Sequence, residues 1–239
     1  MLKKIYNWSS SWTGTIVIVL TIIFFVAQAF VIPSGSMKNT LLIGDMLFVK
    51  KFSYGVPTPT IPWIEVKVLP DFKGNGHLIE GERPKRGDIV VFRYPHNPDI
   101  HYVKRAVAIS GDTIFLKNKI LYLHPKEGND FVKTEFKDYE TIDLNGKLFV
   151  VSPYEKEHKG IHNDINVTKS YSNPKELFDM QEIVIPEDET FMMGDNRDHS
   201  NDSRFWGSVP YKYIVGKPWF IYFSWDDDYK IRWDRVFRT

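Results

Sequence analysis

One uninterrupted apolar segment near the start of the chain limits how the rest can fold. No charged residue occurs between Lys4 and Lys38, and the 19 residues from Gly14 to Ile32 are almost all apolar. As an α-helix, a segment of this length crosses the roughly 30 Å hydrocarbon layer of a bilayer. We therefore predict a transmembrane anchor over residues 13–32, followed by a folded domain on one side of the membrane.

The residues on either side of this segment indicate its orientation. Trp8 and Trp12 precede it, and tryptophan is enriched where a membrane helix meets the interface. Two lysines before Trp8 favour a cytoplasmic position for residues 1–12. Lysines beyond the segment weaken that charge signal, but a long following domain is translocated largely regardless of charge. The alternative is a cleavable signal peptide cut near residues 27–29, for which the apolar segment is long.

The composition of the 239-residue chain excludes several kinds of protein. Apolar residues make up 43% and aromatic residues 15%, which is typical of a folded domain with a filled core. A formal net charge of +1 argues against nucleic acid as a partner. There is no cysteine, so disulfides, thiolate catalysis and cysteine-based metal sites are excluded. His96, His101, His158 and His162 lack carboxylates at a convincing ligand spacing, so we expect neither a metal nor a cofactor.

Beyond the anchor, short alternating and β-branched runs are typical of a mainly β protein. Strands are predicted over residues 46–52, 64–69, 88–94, 100–109, 112–116, 119–123, 182–186, 190–193 and 219–224. A two-residue hairpin turn is predicted at 117–118, and proline and glycine between about 54 and 84 indicate a hairpin arm. Polar composition over 117–189 indicates an inserted, variable β lobe, which leaves a β core over 33–116 and 190–239.

A serine and a lysine in this core have the chemistry of a nucleophile and its base. Ser36 follows the anchor, and Lys104 lies in a predicted strand on the same face as Tyr102 and Ala106. Such neighbours would desolvate the amine and lower its pKa, and a neutral amine can act as general base for a hydroxyl. Ser34 could then help to hold an oxyanion. Taken singly, a turn serine and an edge lysine are also ordinary structural residues.

A third feature is the polar stretch 194–204, which contains no aliphatic side chain but is flanked by apolar residues. This pattern favours a hydrogen-bonded network, although a surface turn rich in Asx motifs would have the same composition. His199 could form a Ser–His–Asp triad with Ser36 and Asp202. That arrangement would leave Lys104 without a role.

With these residues in place, the chain resembles the bacterial type I signal peptidases (leader peptidases). The matching blocks are 32–37 with 40–45, 85–92, 102–107 with 111–112, and 194–197 continuing through Ser200, Asp202, Ser203 and Arg204. Several blocks in the same order make the resemblance specific, and it is weak only over about 117–189. Ala108, Ser110 and His199 depart from the family's usual glycine, proline and asparagine, which leaves the geometry of the loop beside Ser200 open.

The resemblance implies a role for each matching residue. Ser36 would be the nucleophile and Lys104 the general base, with Ser34 and the Ser36 backbone N–H as the oxyanion hole. Ser200 would orient the lysine amine. The residues that brace the site would be Asp195, Asp202 and Arg204.

The resemblance also implies how substrate binds. An extended peptide would add as a strand beside Leu47 and the segments 88–94 or 100–106. Shallow pockets would admit small side chains at the first and third residues before the cut. The residues that would line these pockets are Phe30, Ile32, Pro33, Met37, Leu41, Leu47, Val91, Tyr102 and Val103.

The expected protein is a membrane-bound serine endopeptidase that removes N-terminal signal peptides through an acyl-enzyme. Its fold would be a transmembrane helix and a signal-peptidase-like β core with an inserted lobe. Its partners would be exported preproteins, the lipid bilayer and the export translocon. It would be a single-pass protein of the bacterial plasma (inner) membrane with its catalytic domain on the outer face. A Ser–Lys self-cleaving regulator and a non-enzymatic membrane-anchored β domain that binds exported chains are the alternatives.

Overall fold

The computed structural model describes residues 2–61 and 66–238, and the chain is helical up to Val26 apart from a short break. Helix α1 spans Leu2–Ser9 and helix α2 spans Trp12–Thr21. Helix α2 runs on into a π-helical turn, Ile22–Val26, and the backbone then becomes extended. The helical conformation therefore ends before the apolar segment does.

Most of the regular secondary structure in the remaining chain is β-strand. The strands are β1 (Ala27–Val31), β2 (Asp45–Lys50), β3 (Gly55–Pro57), β4 (His77–Glu80), β5 (Ile89–Tyr94), β6 (Asn97–Ile109), β7 (Thr113–Lys117), β8 (Ile120–His124), β9 (Thr141–Leu144), β10 (Lys147–Val151), β11 (Met180–Val184), β12 (Glu189–Met193), β13 (Val209–Pro210) and β14 (Ile214–Ser224). Two short helices complete the fold, α3 (Asn129–Glu135) and α4 (Ser203–Trp206).

These strands form three antiparallel sheets. The first has seven strands in the order β1-β2-β14-β5-β6-β12-β13, and the second has five in the order β11-β7-β8-β10-β9. Strands β3 and β4 pair with each other as a separate arm. The mainly β architecture predicted from the sequence is confirmed, and the second sheet is built from residues between Thr113 and Val184.

Within the described ranges, no single helix is long and apolar enough to cross a membrane. The stretches Lys3–Ser9 and Trp12–Val26 pass that requirement together, but they are bent by 82° at the break between them. The predicted anchor over 13–32 is wrong at its C-terminal end, because Ala27–Val31 pairs with β2 as a strand. A short apolar run suits a helix or a strand, and here β2 offers its backbone as a partner.

Eight of the nine predicted strands are confirmed, most with shifts of one or two residues at their ends, although β6 begins three residues and β14 five residues earlier than predicted. The hairpin turn between β7 and β8 lies at Asn118–Lys119, one residue later than predicted, and both residues have positive φ, 50° and 71°. That conformation matches the right-handed twist of the flanking strands. The predicted strand 64–69 lies partly outside the described residues, and in the part that is described Lys67 makes an isolated bridge to Thr60.

Alternation along β5 separates two apolar clusters on the two faces of the first sheet. Val91 packs with Leu47 and Ile221 on one face, whereas Val90 and Phe92 pack on the other. A third cluster joins the end of β6 to β7 and β8, so the two sheets share buried side chains. Burial of these side chains is the main stabilising contribution to such a fold.

A buried ion pair fixes the C-terminal segment to the start of β2. Asp45 is fully buried, and Arg235 donates to it through Nε at 2.8 Å and Nη2 at 2.6 Å. The Ser224 hydroxyl donates to the same carboxylate at 2.7 Å. Burial alone would raise the pKa of Asp45, but these hydrogen bonds and the arginine charge hold that pKa below its usual value.

We predict that Arg235→Met lowers the free energy of unfolding by about 3–5 kcal/mol, because it leaves the Asp45 carboxylate buried without its cation. Denaturant unfolding of the purified full chain measures the change. Arg238→Met is the matched control, since Arg238 is exposed and pairs with Asp234 at 3.6 Å. Equal stability of the two variants would contradict a stabilising role for the buried pair.

Candidate active site

The first part of the candidate site is the turn that follows β1. The chain forms one 3₁₀ turn at Gly35–Met37, which buries Ser36 and leaves Ser34 exposed. Asn196 holds this turn from the opposite side: its backbone N–H donates to the Ser36 carbonyl at 3.0 Å, and its side-chain amide donates to the preceding carbonyl at 3.0 Å. The position of the Ser36 hydroxyl is therefore set by a loop that lies far away in sequence.

The second part is Lys104, in the middle of β6. Its Nζ lies 2.7 Å from Ser36 Oγ and 3.2 Å from the Val103 carbonyl, and the residue is 4% exposed. Its Nζ also lies 5.0 Å from the centre of the Tyr102 ring, on the face that strand alternation predicts. The geometry allows the amine and the hydroxyl to exchange a proton directly.

Burial controls the charge of this amine. Desolvation lowers the pKa of Lys104 to about 8, because a dry environment disfavours the ammonium form. The negative charges of Asp202 and Asp195 oppose this shift, and the positive charge of Arg204 adds to it. A large fraction of Lys104 is therefore neutral in weakly alkaline solution.

Asp195 forms a buried ion pair next to Ser36 and Lys104. Arg105 donates to its two carboxylate oxygens through Nε and Nη2, each at 2.7 Å, and Thr40 Oγ1 donates at 2.5 Å. Arg105 also donates to the Gly87 carbonyl at 2.6 Å. Because Thr40 follows the Ser36 turn and Arg105 follows Lys104 in β6, Asp195 links the turn that carries Ser36 to the strand that carries Lys104.

Asp202 forms the second buried ion pair. Arg204 donates to it through Nε at 2.8 Å and Nη2 at 2.9 Å, and the Gly194 N–H donates at 3.0 Å. Burial would raise the pKa of Asp202, but the charge and hydrogen bonds of Arg204 keep that pKa below its usual value. Apart from the exposed His199 and Asn201, the polar stretch 194–204 is thus buried and is not a surface turn.

Two further serines, Ser34 and Ser200, lie near Ser36, and only Ser34 has a hydrogen-bond contact with it. Ser34 Oγ is 3.3 Å from Ser36 Oγ. Ser200 Oγ is buried and has no well-directed hydrogen bond to any described residue. A Cβ on Gly194 would lie 2.3 Å from Ser200 Oγ and 2.5 Å from the Ser36 carbonyl, so the glycine permits these elements to approach.

A loop between β10 and β11 pairs with the polar stretch through the backbone. The His162 N–H donates to the Asp195 carbonyl at 2.8 Å, and the Arg197 N–H donates to the His162 carbonyl at 3.0 Å. Lys119 adds a bond to Asp198 at 3.0 Å. The region that contains the second sheet therefore supports the loop that carries Asp195.

An apolar cleft of about 390 Å³ opens beside Ser36. It is lined by six of the predicted substrate residues, Phe30, Ile32, Pro33, Met37, Tyr102 and Val103. The other three, Leu41, Leu47 and Val91, lie beneath the cleft in the buried cluster of the first sheet. Sequence reasoning did not separate the two groups, since both are apolar residues next to the motif.

The sheet topology also determines where a peptide could add as a strand. Leu47 in β2 and the strand β5 are each paired on both sides, so the predicted docking beside them is wrong. Strand β12 pairs with β6 only from Arg105 onwards. The segment Ile100–Lys104 therefore has an edge that no other described strand occupies, and this edge faces the cleft.

The structure does not assemble the alternative Ser–His–Asp triad. His199 lies at the rim of the cleft, where its Nε2 is 3.0 Å from Asp164 Oδ2. Asp202 is instead engaged by Arg204. In the described part of the chain, no group of three or more histidine and carboxylate side chains is arranged to hold a metal ion.

Three residues of the site were missed by sequence reasoning: Thr40, Arg105 and Asn196. Arg105 points away from Lys104 in any β-strand, which suggests a separate role, but no local pattern pairs it with Asp195. Thr40 and Asn196 lie inside the motif blocks without a chemical signal of their own. Their roles depend on contacts between distant segments, which spacing does not reveal.

Comparison with known proteins identifies the family of the chain. The family model described as "Signal peptidase, peptidase S26" matches residues 5–225. The signal peptidase I of Helicobacter pylori is 47% identical across 100% of this chain and 94% of its own length. That of Pseudomonas aeruginosa is 37% identical across 92% of this chain and 73% of its own length. A crystal structure of a signal peptidase I from Enterococcus faecalis V583 is 24% identical, with a TM-score of 0.36, and covers 57% of this chain and 97% of its own.

These matches define the class of the protein as a hydrolase of the serine peptidase type. More particularly, the chain belongs to the signal peptidase family, peptidase S26. The family model covers almost the whole chain, and the fold over that range has the mainly β core that the sequence predicts.

We predict that Thr40→Val lowers the free energy of unfolding by about 1.5–3 kcal/mol, because it removes a hydrogen bond to the buried Asp195 carboxylate without changing the side-chain shape. Thr40→Ser keeps the hydroxyl and is the control. Chemical denaturation of both variants gives the comparison. A Thr40→Val protein as stable as the wild type would contradict the proposed link between the two loops.

Proposed function

We propose that this chain is a membrane-bound endopeptidase that removes N-terminal signal peptides from exported preproteins, with Ser36 and Lys104 as its catalytic dyad. The observation that carries the proposal is the buried contact of 2.7 Å between Lys104 Nζ and Ser36 Oγ. Family membership and the relatives named as signal peptidase I support the choice of substrate. Catalysis would proceed through an acyl-enzyme on Ser36.

In the first step, neutral Lys104 takes the hydroxyl proton as Ser36 Oγ attacks the scissile carbonyl. The oxyanion that forms is held by the Ser36 backbone N–H and the Ser34 hydroxyl, which lies 3.3 Å from Ser36 Oγ. The Lys104 ammonium then gives its proton to the leaving amine. In the second step Lys104 activates a water molecule that releases the signal peptide from Ser36.

The buried ion pairs maintain this arrangement. Asp202 and Asp195 keep the pKa of Lys104 from falling further, so the ammonium can form during the reaction. Their arginines hold both carboxylates in place through charge-assisted hydrogen bonds. Ser200, whose hydroxyl is buried beside Gly194 and helps to lower the pKa of Asp202, would orient the Lys104 amine.

The substrate would bind as an extended strand along the edge of Ile100–Lys104 that no described strand occupies. Its side chains would alternate between the cleft and the opposite direction, so the first and third residues before the cut would enter the cleft. The apolar lining of Phe30, Tyr102 and Val103 favours small apolar side chains there. No charged partner for substrate is needed in this mode.

The N-terminal helices would hold the site at a bilayer. The helical part of the apolar segment, Trp12–Val26, leads directly into β1, and exposed Trp219 and Trp225 on β14 and beyond suit an interfacial position. We infer a single-pass protein of the bacterial plasma membrane with its catalytic domain on the outer face. There it would meet preproteins as they leave the export translocon.

We predict that Ser36→Ala and Lys104→Ala each lower precursor processing by more than roughly three orders of magnitude, because members of a catalytic unit fail together. Cleavage of a preprotein by the full chain in detergent, followed by mass spectrometry, measures the loss. Lys85→Ala is the control, since Lys85 is exposed and pairs with Glu82. Processing that survives in both dyad variants would instead favour a non-enzymatic domain that binds exported chains.

The activity should rise with pH through the pKa of Lys104. Only the neutral amine accepts the serine proton, so kcat/KM should fall about tenfold per unit below the pKa and level off above it. The midpoint is expected near pH 8, where burial has placed that pKa. A profile of kcat/KM with a soluble peptide tests this. A flat profile between mildly acid and alkaline pH would exclude Lys104 as the base.

A further inference from the structure

A second buried lysine contacts the end of the N-terminal helix. Lys51 follows the last residue of β2 and is 3% exposed. Its ammonium donates to the Ile23 carbonyl at 3.1 Å and lies 3.5 Å from the Phe24 carbonyl. Its backbone N–H donates to the Val26 carbonyl at 3.0 Å. A single residue of the sheet thus binds three carbonyls of the helix end.

These carbonyls are the groups that a helix leaves without partners. The last turn of a helix has carbonyls with no intrahelical donor and carries the negative end of the macrodipole. Here the last turn is π-helical, and the Ala27 N–H closes it on the Ile22 carbonyl. A buried ammonium satisfies both the hydrogen-bonding and the electrostatic requirement of this terminus.

The helix end is joined to the cleft without a flexible linker. Ala27 begins β1, which pairs with β2 from Ala27↔Lys50 to Val31↔Met46. The same strand carries Phe30 into the cleft and leads to the Ser36 turn. Lys51 directly follows the last β2 residue of this ladder. The segment that pairs with β1 therefore also binds the end of the helix that precedes β1.

Lys51 is close to the opposite wall of the cleft as well. His101 packs against Phe30 with ring centres 5.1 Å apart. Burial lowers the pKa of His101 to about 4, and the charges of Arg93 and Lys51 add to the shift. The ammonium that binds the helix end is therefore near enough to act electrostatically on a cleft residue.

We propose that Lys51 is a positioning residue that sets the height of the cleft relative to the helix end, and thereby selects which peptide bond of a membrane-inserted substrate reaches Ser36. The inference rests on the proposed signal-peptide cleavage. A signal peptide and the anchor share one bilayer, so the depth of the cleft determines the register of the cut. One strand residue is about 3.3 Å long, so a small displacement changes the register by a residue.

The test uses the full chain reconstituted in vesicles of phosphatidylethanolamine and phosphatidylglycerol. The substrate is a membrane-inserted precursor with two cleavable sites separated by about two residues, or roughly 7 Å of strand. In Lys51→Met we expect the ratio of the two products, read by mass spectrometry, to change by at least about fivefold, or about 1 kcal/mol. A soluble peptide is not held at a fixed depth in a bilayer, so the variant should cleave it at a rate within about twofold of the wild-type rate.

Two further variants act as controls. Lys51→Arg keeps a cation that can bind the same carbonyls, so it should restore the wild-type product ratio. Lys50→Met changes the neighbouring lysine, whose ammonium lies over the Phe52 ring at 4.7 Å, and should leave the ratio unchanged.

A distance measurement tests the same positioning role directly. The chain contains no cysteine, so the double substitution Val17→Cys, Asp99→Cys allows one spin label to be attached to α2 and one to β6, and nowhere else. The distribution of distances between the two spin labels should be narrow when Lys51 is present and broader after Lys51→Met.

Each outcome has a distinct meaning. An unchanged product ratio in Lys51→Met, while the wild type cleaves normally, overturns the positioning role and leaves the proposed function intact. An equal loss on soluble and inserted substrates assigns Lys51 to folding and also overturns it. A wild type that cleaves neither substrate defeats the proposed function, and this inference with it.

Discussion

The 2.7 Å contact between Lys104 and Ser36 exists because the fold excludes water from a primary amine. In water that amine would be an ammonium and useless as a base. Burial in β6 removes its hydration, and the nearby carboxylates limit how far its affinity for protons falls. The rest of the site can be understood as the structure needed to keep one amine dry, unpaired and aimed at one hydroxyl.

The carboxylates of Asp195 and Asp202 are buried near that amine. A buried charge destabilises the folded protein unless it has a partner. The site resolves this with Arg105 on Asp195 and Arg204 on Asp202, each through two hydrogen bonds. Because these arginines satisfy the carboxylates, Lys104 is left without a direct ion pair among the described residues and can lose its proton. In the proposed mechanism the arginines thus support the reaction without contacting Ser36 or Lys104.

The sequence was informative where a pattern is local. Alternation and turn residues located most strands, and the motif blocks brought Ser36 and Lys104 to the same cleft before the fold was known. The end of the anchor was misjudged because Ala27–Val31 is apolar enough for either conformation, and only β2 decides between them. The roles of Arg105 and Asn196 are not predictable from local patterns, because their partners lie in segments that are remote in sequence. Leu47 and Val91 are predicted to line the cleft but are buried beneath it, because burial depth is not a local property of the sequence.

The contact between His162 and the polar stretch 194–204 is made by main-chain groups, whereas the His162 ring contacts Asn39. A main-chain contact is indifferent to the identity of the side chain at that position and sensitive to the length and path of the loop that presents it. Away from Lys119 and Asp164, whose side chains contact Asp198 and His199, the surface of the lobe that contains the second sheet is therefore free to change its chemistry. Insertions or deletions close to residue 162 would be far less tolerated than substitutions there.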